Sequence, residues 1–368
     1  MVNASILEMK LTAQIKLHPS EEQREALLRT LERANEACDW ISGRAWETET
    51  FSQYKLHDEV YHPTRERFDL SAQATVRAIG KVTDAYKTNP DTRNEFSVRG
   101  GFPYDNRLLT YYTGRQEVSI WTLGGRERMS YACGERQRRM LENQQGQSDL
   151  VYHRGDFYLL AACNVEEPPP EDMDDVLGVD FGIENLATDS DGNTYSGQKV
   201  DERRQWYEKR RAILQSVGTR SAKRRLQQLS GRQARFQKDR NHCISKEIVS
   251  RAKDTNRAIA LEDLTGLRKR TTVRHSQRSR HSNWSFHQLR QHIEYKAALA
   301  GVPVHIVDPA YTSQECSQCG HTAKANRCRS QAEFECRECG HSQNADWNAA
   351  LNVAARVRVN GPMVAAEA

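Results

Sequence analysis

At 368 residues the chain can bury a large core and form two or three domains, so one small module does not account for it. No eighteen apolar residues run together, and MVNASILEMKLTAQIKL lacks the basic-then-apolar order of a signal peptide; the expectation is a soluble, cytoplasmic protein. The 54 Lys and Arg against 49 Asp and Glu leave a mild net charge of +5, so the distribution of charge says more than its total.

In chain order, EMKLTAQIKLHPS alternates apolar and polar residues like a strand. Ser20 and Gln23 then form a capping-box pattern ahead of Leu27, Leu31, Ala34, Cys38 and Ile41, which recur at helical spacing. A second helical run covers 71–87. The segments FSVRGGFPYDNRLLTYY, EVSIWTL and LVYHRGDFYLLAACNVE follow, the last with Arg154, Gly155 and Asp156 as a hairpin turn between strand-like halves. Residues 1–167 therefore read as a small β domain with a helical region inserted at about 20–90. The Pro-rich, acidic stretch that follows, with 168–175 as the linker, suits an exposed connector.

A second domain opens at VLGVDFGIENLATDSDGNTYSG, a buried-type strand ending in Asp180 and a returning strand. Residues 201–240 are helical and basic, with thirteen Lys or Arg against four acids. RAIALEDLTGL is a short apolar strand ending at Glu262 and Asp263. The stretch 268–283 has no acid and carries Arg268, Lys269, Arg270, Arg274, Arg278 and Arg280, so it reads as a mobile loop that repels itself unless an anion is present. A helical run over 284–301 ends at Gly301, and VPVHIVDPAYTSQ supplies a further strand. No internal repeat is evident, and the tail from 357 to 368 has no periodicity and is expected to be poorly ordered.

Nine cysteines is an odd number, and Cys38, Cys133, Cys163, Cys243 and Cys328 are scattered, which argues against a disulfide framework. Cys316 and Cys319, then Cys336 and Cys339, form two CxxC pairs each followed by Gly-His. This spacing supplies four thiolates to one tetrahedral Zn2+ and leaves no open position for water, so the ion is structural. Hard cations instead want carboxylates. Asp180, Glu262 and Asp346, the last at the start of a helical run, become candidates if a mixed sheet sets the first and fourth strands of this domain side by side. Taken singly, each of these acids reads as an ordinary solvated residue, and spacing alone does not lift the three out of that background.

The combination GVDFGIENLAT, IALEDLTGL, YTSQECSQCG, FECRECG and NADWNAALN, in this order over about 176–356, resembles TnpB (OrfB), the transposon-encoded family related to type V CRISPR nucleases. The resemblance implies an α/β multi-domain protein. Its nuclease core, RNase H-like (RuvC) with a mixed sheet, would be split over 176–309 and 341–356, with a zinc ribbon inserted at 310–340. Residues 1–167 would be a wedge-like β-barrel with an inserted helical recognition region. It further implies an RNA-guided DNA endonuclease encoded by an insertion sequence, partnered by a guide RNA from the transposon end and by double-stranded target DNA. It makes Asp180, Glu262 and Asp346 both catalytic residues and ligands of Mg2+ or Mn2+, acting at the nucleoid. Arg224 and Arg225 on the basic helix, with the six cations of 268–283, become nucleic-acid contacts, and that loop a lid beside the site. The alternative within the family is a guided DNA-binding protein that does not cut. A strand transferase is disfavoured because no His-hydrophobe-His motif with a partner Tyr is present.

Overall fold

Leu11, Ala13, Ile15 and Leu17 alternate with polar residues along β1 (Glu8–His18), and Ala13, Ile15 and Leu17 are buried. The computed structural model describes residues 8–182, 185–196, 198–263, 286–327 and 333–360. The chain divides into two compact units, Met1–Glu166 and Glu167–Ala368.

In the first unit β1 lies mid-sheet among β2 (Phe102–Tyr104), β3 (Leu109–Tyr112), β4 (Glu117–Thr122), β5 (Gly125–Ala132), β6 (Gln144–His153) and β7 (Asp156–Glu166). The antiparallel order is β2-β6-β7-β1-β5-β4-β3. Tyr111 on edge strand β3 reaches Ser148 on β6, near the opposite edge, at 2.9 Å, so the sheet curls into a near-closed barrel. The β6–β7 turn places Arg154 at φ 55° and Gly155 at φ 91°, the double positive φ of a type I′ hairpin. Of the aromatics at 104–112, Tyr104 is 1% exposed and serves the core, Tyr111 is half-buried and Tyr112 is exposed.

Helices α1 (Glu21–Glu47), α2 (Gln53–Phe68) and α3 (Ala72–Thr88) are inserted between β1 and β2, and the short α4 (Glu135–Glu142) lies between β5 and β6. The capping box forms at α1: Gln23 N–H donates to Ser20 Oγ at 3.3 Å and Ser20 N–H donates to Gln23 Oε1 at 3.1 Å. No described helix is long and apolar enough to cross a membrane.

The second unit contains a mixed five-stranded sheet of β8 (Asp175–Asp180), β9 (Asn185–Asp189), β10 (Thr194–Ser196), β11 (Arg257–Glu262) and β12 (Val304–Val307) in the order β10-β9-β8-β11-β12. β8, β11 and β12 are mutually parallel; β9 runs against both β8 and β10. Helices α5 (Gln198–Val217), α6 (Arg220–Asp254), α7 (Phe286–Ala300) and α8 (Ala345–Asn360) complete the unit, with a small hairpin of β13 (Glu333–Glu335) and β14 (Ser342–Asn344).

Strand alternation divides the residues between the two faces of this sheet. Leu177, Val179, Ile259 and Leu261 share a core with Ile244 and Ile248 of α6 and Ile293 and Ala297 of α7. Val176, Ala258 and Ala260 turn the other way, onto Val353 and Ala354 of α8. The α8 face carries small residues because the helix lies almost on the backbone of β8. A Cβ added at Gly178 would sit 2.1 Å from the Ala350 carbonyl oxygen and 2.6 Å from the Ala354 nitrogen. Gly178→Ala must push α8 off the sheet; the expected loss is about 3 kcal/mol, at the upper end for overpacked cores. A denaturation midpoint unchanged from wild type would contradict this close approach.

Candidate metal centres

The C-terminal ends of β8 and β11 lie side by side, their last registered pair being Val179 with Leu261. One residue further on, alternation turns Asp180 and Glu262 to the face that carries α8. Asp346 lies in the first turn of α8, with its side chain 13% exposed. Asn185 Nδ2 donates to Asp346 Oδ2 at 3.2 Å, and a Cβ at Gly182, two residues past Asp180, would lie 3.4 Å from the same oxygen. The three acids thus gather at one corner of the sheet.

Electrostatics in this corner is unfavourable for three bare carboxylates. Burial, then the charges of Glu262 and Asp346, push the Asp180 carboxyl well above its ordinary range. Glu262, 7% exposed, is pushed up by burial, against the hydrogen bond from Thr312 and the charges of Arg356 and Arg327, which oppose the rise. Arg327 Nη2 is 3.6 Å from Asp346 Oδ1, and its charge also pulls the Asp180 and Glu262 carboxyls down, against the effect of burial. An all-oxygen, strongly anionic donor set fits a hard divalent cation such as Mg2+ or Mn2+ and does not suit a soft one. These acids are not drawn together as tightly as the cysteines: among the described residues the four thiols are the only group of three or more ligands whose atoms all lie within 4.8 Å of one another.

Cys316 Sγ lies 3.8 Å from Cys339 Sγ, and Cys319 Sγ lies 3.6 Å from Cys336 Sγ. A tetrahedron with Zn–S bonds of about 2.3 Å has edges of about 3.8 Å, so the thiols fit a Zn2+ ion. Both knuckles have one design: the N–H of Gly320 and of Gly340 donates to the carbonyl of Cys316 and of Cys336, and both glycines have positive φ. The N–H groups of Cys339 and Glu338 hold the Cys336 thiol down, to about 6, while burial and the neighbouring thiols push Cys319 and Cys339 up, so an ion bound here must displace their protons. Cys316, Phe334 and Cys336 form a small core with Ala345, the first residue of α8.

Arg224 and Arg225 are exposed on α6. Arg268, Lys269, Arg270, Arg274, Arg278 and Arg280 lie outside the described residues, as do Cys328 and the tail from 361. Two groups not anticipated from sequence are Arg327, which follows no strand or helix signal, and Thr312, whose hydroxyl donates to Glu262 Oε1 at 2.5 Å.

Residues 161–266 match the family model OrfB_IS605, described as "Probable transposase", and residues 286–353 match that of the Cas12f1-like TNB domain. The chain is similar in sequence to TnpB-like and Cas12f1 proteins. It is 34% identical over 200 residues to the CRISPR-associated endodeoxyribonuclease Cas12f1 of Sulfoacidibacillus thermotolerans, covering 50% of this chain and 46% of that one. It is 31% identical over 199 residues to the putative RNA-guided DNA endonuclease InsQ of Escherichia coli K12 (49% and 48%). It is 30% identical over 163 residues to a TnpB-like protein of Methanocaldococcus jannaschii (41% and 59%). The matches thus span about half the length of these curated relatives. A Cas12f1 solved in a complex with sgRNA and target DNA has a similar mixed α/β fold, with a TM-score of 0.60 at 14% identity, over 95% of this chain and 99% of that one.

Proposed function

We propose that this chain is an RNA-guided DNA endonuclease of the insertion-sequence type, cutting phosphodiesters with divalent metal at Asp180, Glu262 and Asp346. The observation that carries this reading is the convergence of those three carboxylates from two parallel strand ends and one helix start, with Arg327 beside Asp346. That arrangement matches what a RuvC-like, RNase H-type core needs, and the InsQ and Cas12f1 relatives, named as a putative RNA-guided DNA endonuclease and a CRISPR-associated endodeoxyribonuclease, support it. In this reading 176–309 with 341–356 form the nuclease core, 310–340 a zinc ribbon, 168–175 the linker, and 1–167 a wedge-like barrel with recognition helices.

Bound Mg2+ or Mn2+ supplies an activated water and charge stabilisation for the leaving oxygen. The chain's own residues do the rest. Asp180 and Glu262, fixed on adjacent strands, and Asp346, held by Asn185, present oxygens at set positions. Arg327, beside Asp346, would offset the charge that a scissile phosphate brings. The exposed Arg224 and Arg225 neutralise nucleic-acid phosphates without reading sequence, and 268–283 adds six cations to that task. Zn2+ at the four cysteines is structural.

The retained carboxylates favour cutting over guided binding alone. Expression with the native flanking DNA is expected to yield one discrete co-purifying RNA, and reprogramming its guide segment is expected to redirect Mg2+-dependent cutting. Absence of any discrete RNA, or cutting indifferent to the guide, would refute the guided reading.

A further inference from the structure

The loop between β12 and the first cysteine pair is held from one side by α8. Arg356 bonds to the carbonyls of Asp308 and of Ala310, the latter at 2.6 Å, and lies 3.3 Å from Glu315 Oε2. One turn earlier on the helix, Asn352 Nδ2 donates to the carbonyls of Thr312 at 2.8 Å and Glu315 at 2.7 Å. A further turn back, Asn348 Nδ2 donates to the Glu315 carbonyl at 2.7 Å while its Oδ1 accepts from Ser317 N–H at 3.0 Å. Residues 348, 352 and 356 recur every four positions and so form a single stripe on α8. Asn348 and Asn352 are both buried, where unpaired amides are costly, and both are spent on this one loop.

The object so held is Thr312, which is 3% exposed and sits next to Tyr311, whose backbone takes the left-handed φ of 66°. A bulky non-glycine residue keeps that conformation only where its surroundings enforce it. The Thr312 hydroxyl has one proton and two acceptors in reach: Glu262 Oε1 at 2.5 Å and the Pro309 carbonyl at 3.1 Å. The shorter bond, to an acid, is the stronger and takes the proton.

We propose that Thr312 is a positioning residue for the carboxylate centre: its hydroxyl occupies Oε1 of Glu262 and so presents Oε2 to the cation, while α8 holds Thr312 in place through Asn352. This rests on the reading of Asp180, Glu262 and Asp346 as metal ligands. The helix that carries Asp346 thereby also sets the orientation of Glu262, and two of the three ligands are aligned by one element. A hydrogen-bond partner behind a metal ligand typically contributes 10- to 100-fold in metal affinity or activity.

The test is Mn2+ binding to the full-length, zinc-loaded chain, followed by the electron paramagnetic resonance signal of free Mn2+, with Asp180→Asn marking the background. Thr312→Val keeps the shape and removes the hydroxyl; the expected result is Mn2+ affinity at the Asp180-dependent site weakened about 10-fold or more, with zinc content unchanged. Thr312→Ser should restore affinity to near wild type. Should Thr312→Val fail to fold, Asn352→Ala decides: weakened Mn2+ binding supports the proposal, and wild-type binding overturns it. Wild-type affinity in Thr312→Val, or a serine variant as weak as the valine one, overturns it too. Absence in the wild type of any Mn2+ site that Asp180→Asn abolishes would instead sink the metal-ligand reading beneath it.

Discussion

Asp180→Asn is expected to abolish guided cutting while leaving the protein, free of divalent metal, at least as stable to heat as the metal-free wild type. Three acids share a corner in which burial and mutual repulsion raise the Asp180 carboxyl. A carboxyl whose pKa rises on folding opposes folding at pH values above its unfolded pKa, so at neutral pH the neutral amide relieves a cost. Removing the same charge takes away a metal ligand, and metal-stabilised transition states rely on several kcal/mol from the ion. At about 1.4 kcal/mol per decade, loss of that stabilisation lowers the cleavage rate by about 10³-fold or more. Target binding, which draws on backbone charge and guide pairing, should persist. A variant that still cuts, or one that loses cutting only because its melting temperature has collapsed, would contradict this account of Asp180.

Cys336→Ser is expected to empty the zinc site and destabilise the corner next to it. Structural zinc in small thiolate modules contributes about 10 kcal/mol or more of apparent folding free energy. Here the module is not isolated. Cys316, Phe334 and Cys336 share a core with Ala345, and Asn348 bonds both Ser317 and Glu315. Asp346 lies between those two points of attachment. The predicted result is zinc content falling from one equivalent to near none, with Asp180-dependent Mn2+ binding lost at the same time. A zinc-free variant that retained full Mn2+ affinity would show the two centres to be mechanically separate.

Much of the frame was legible because apolar periodicity is local. The run from Val176 to Val179 and that from Ala258 to Leu261 each read as strands ending in acids, and β8 and β11 end at Asp180 and Glu262. The Ser20–Gln23 capping box and the Arg154–Gly155 turn depend on a few adjacent residues and were visible for the same reason. The thiol spacing likewise encodes its own geometry. What escaped detection depends on tertiary contact or lacks an apolar stripe. Helix α4, ERQRRMLE, buries only Leu141, and its two apolar residues, Met140 and Leu141, are too few to repeat at helical spacing. The basic helical region extends past 240 because α6 continues through Ile244, Ile248 and Val249 into the core. Nothing in AYTSQ marks Thr312 as the partner of Glu262, fifty residues earlier, and Arg327 reaches Asp346 only because the cysteine module folds back onto α8. Gly178 is ordinary in the strand pattern, and only the approach of Ala350 and Ala354 shows why a side chain is excluded there.

The most direct measurement is anomalous scattering from crystals of the full chain grown with Mn2+. The account predicts a zinc peak enclosed by Cys316, Cys319, Cys336 and Cys339, and manganese density bridged by Asp180, Glu262 and Asp346. Manganese found elsewhere, with the three carboxylates bare at saturating Mn2+, would contradict the assignment of that corner as the catalytic centre.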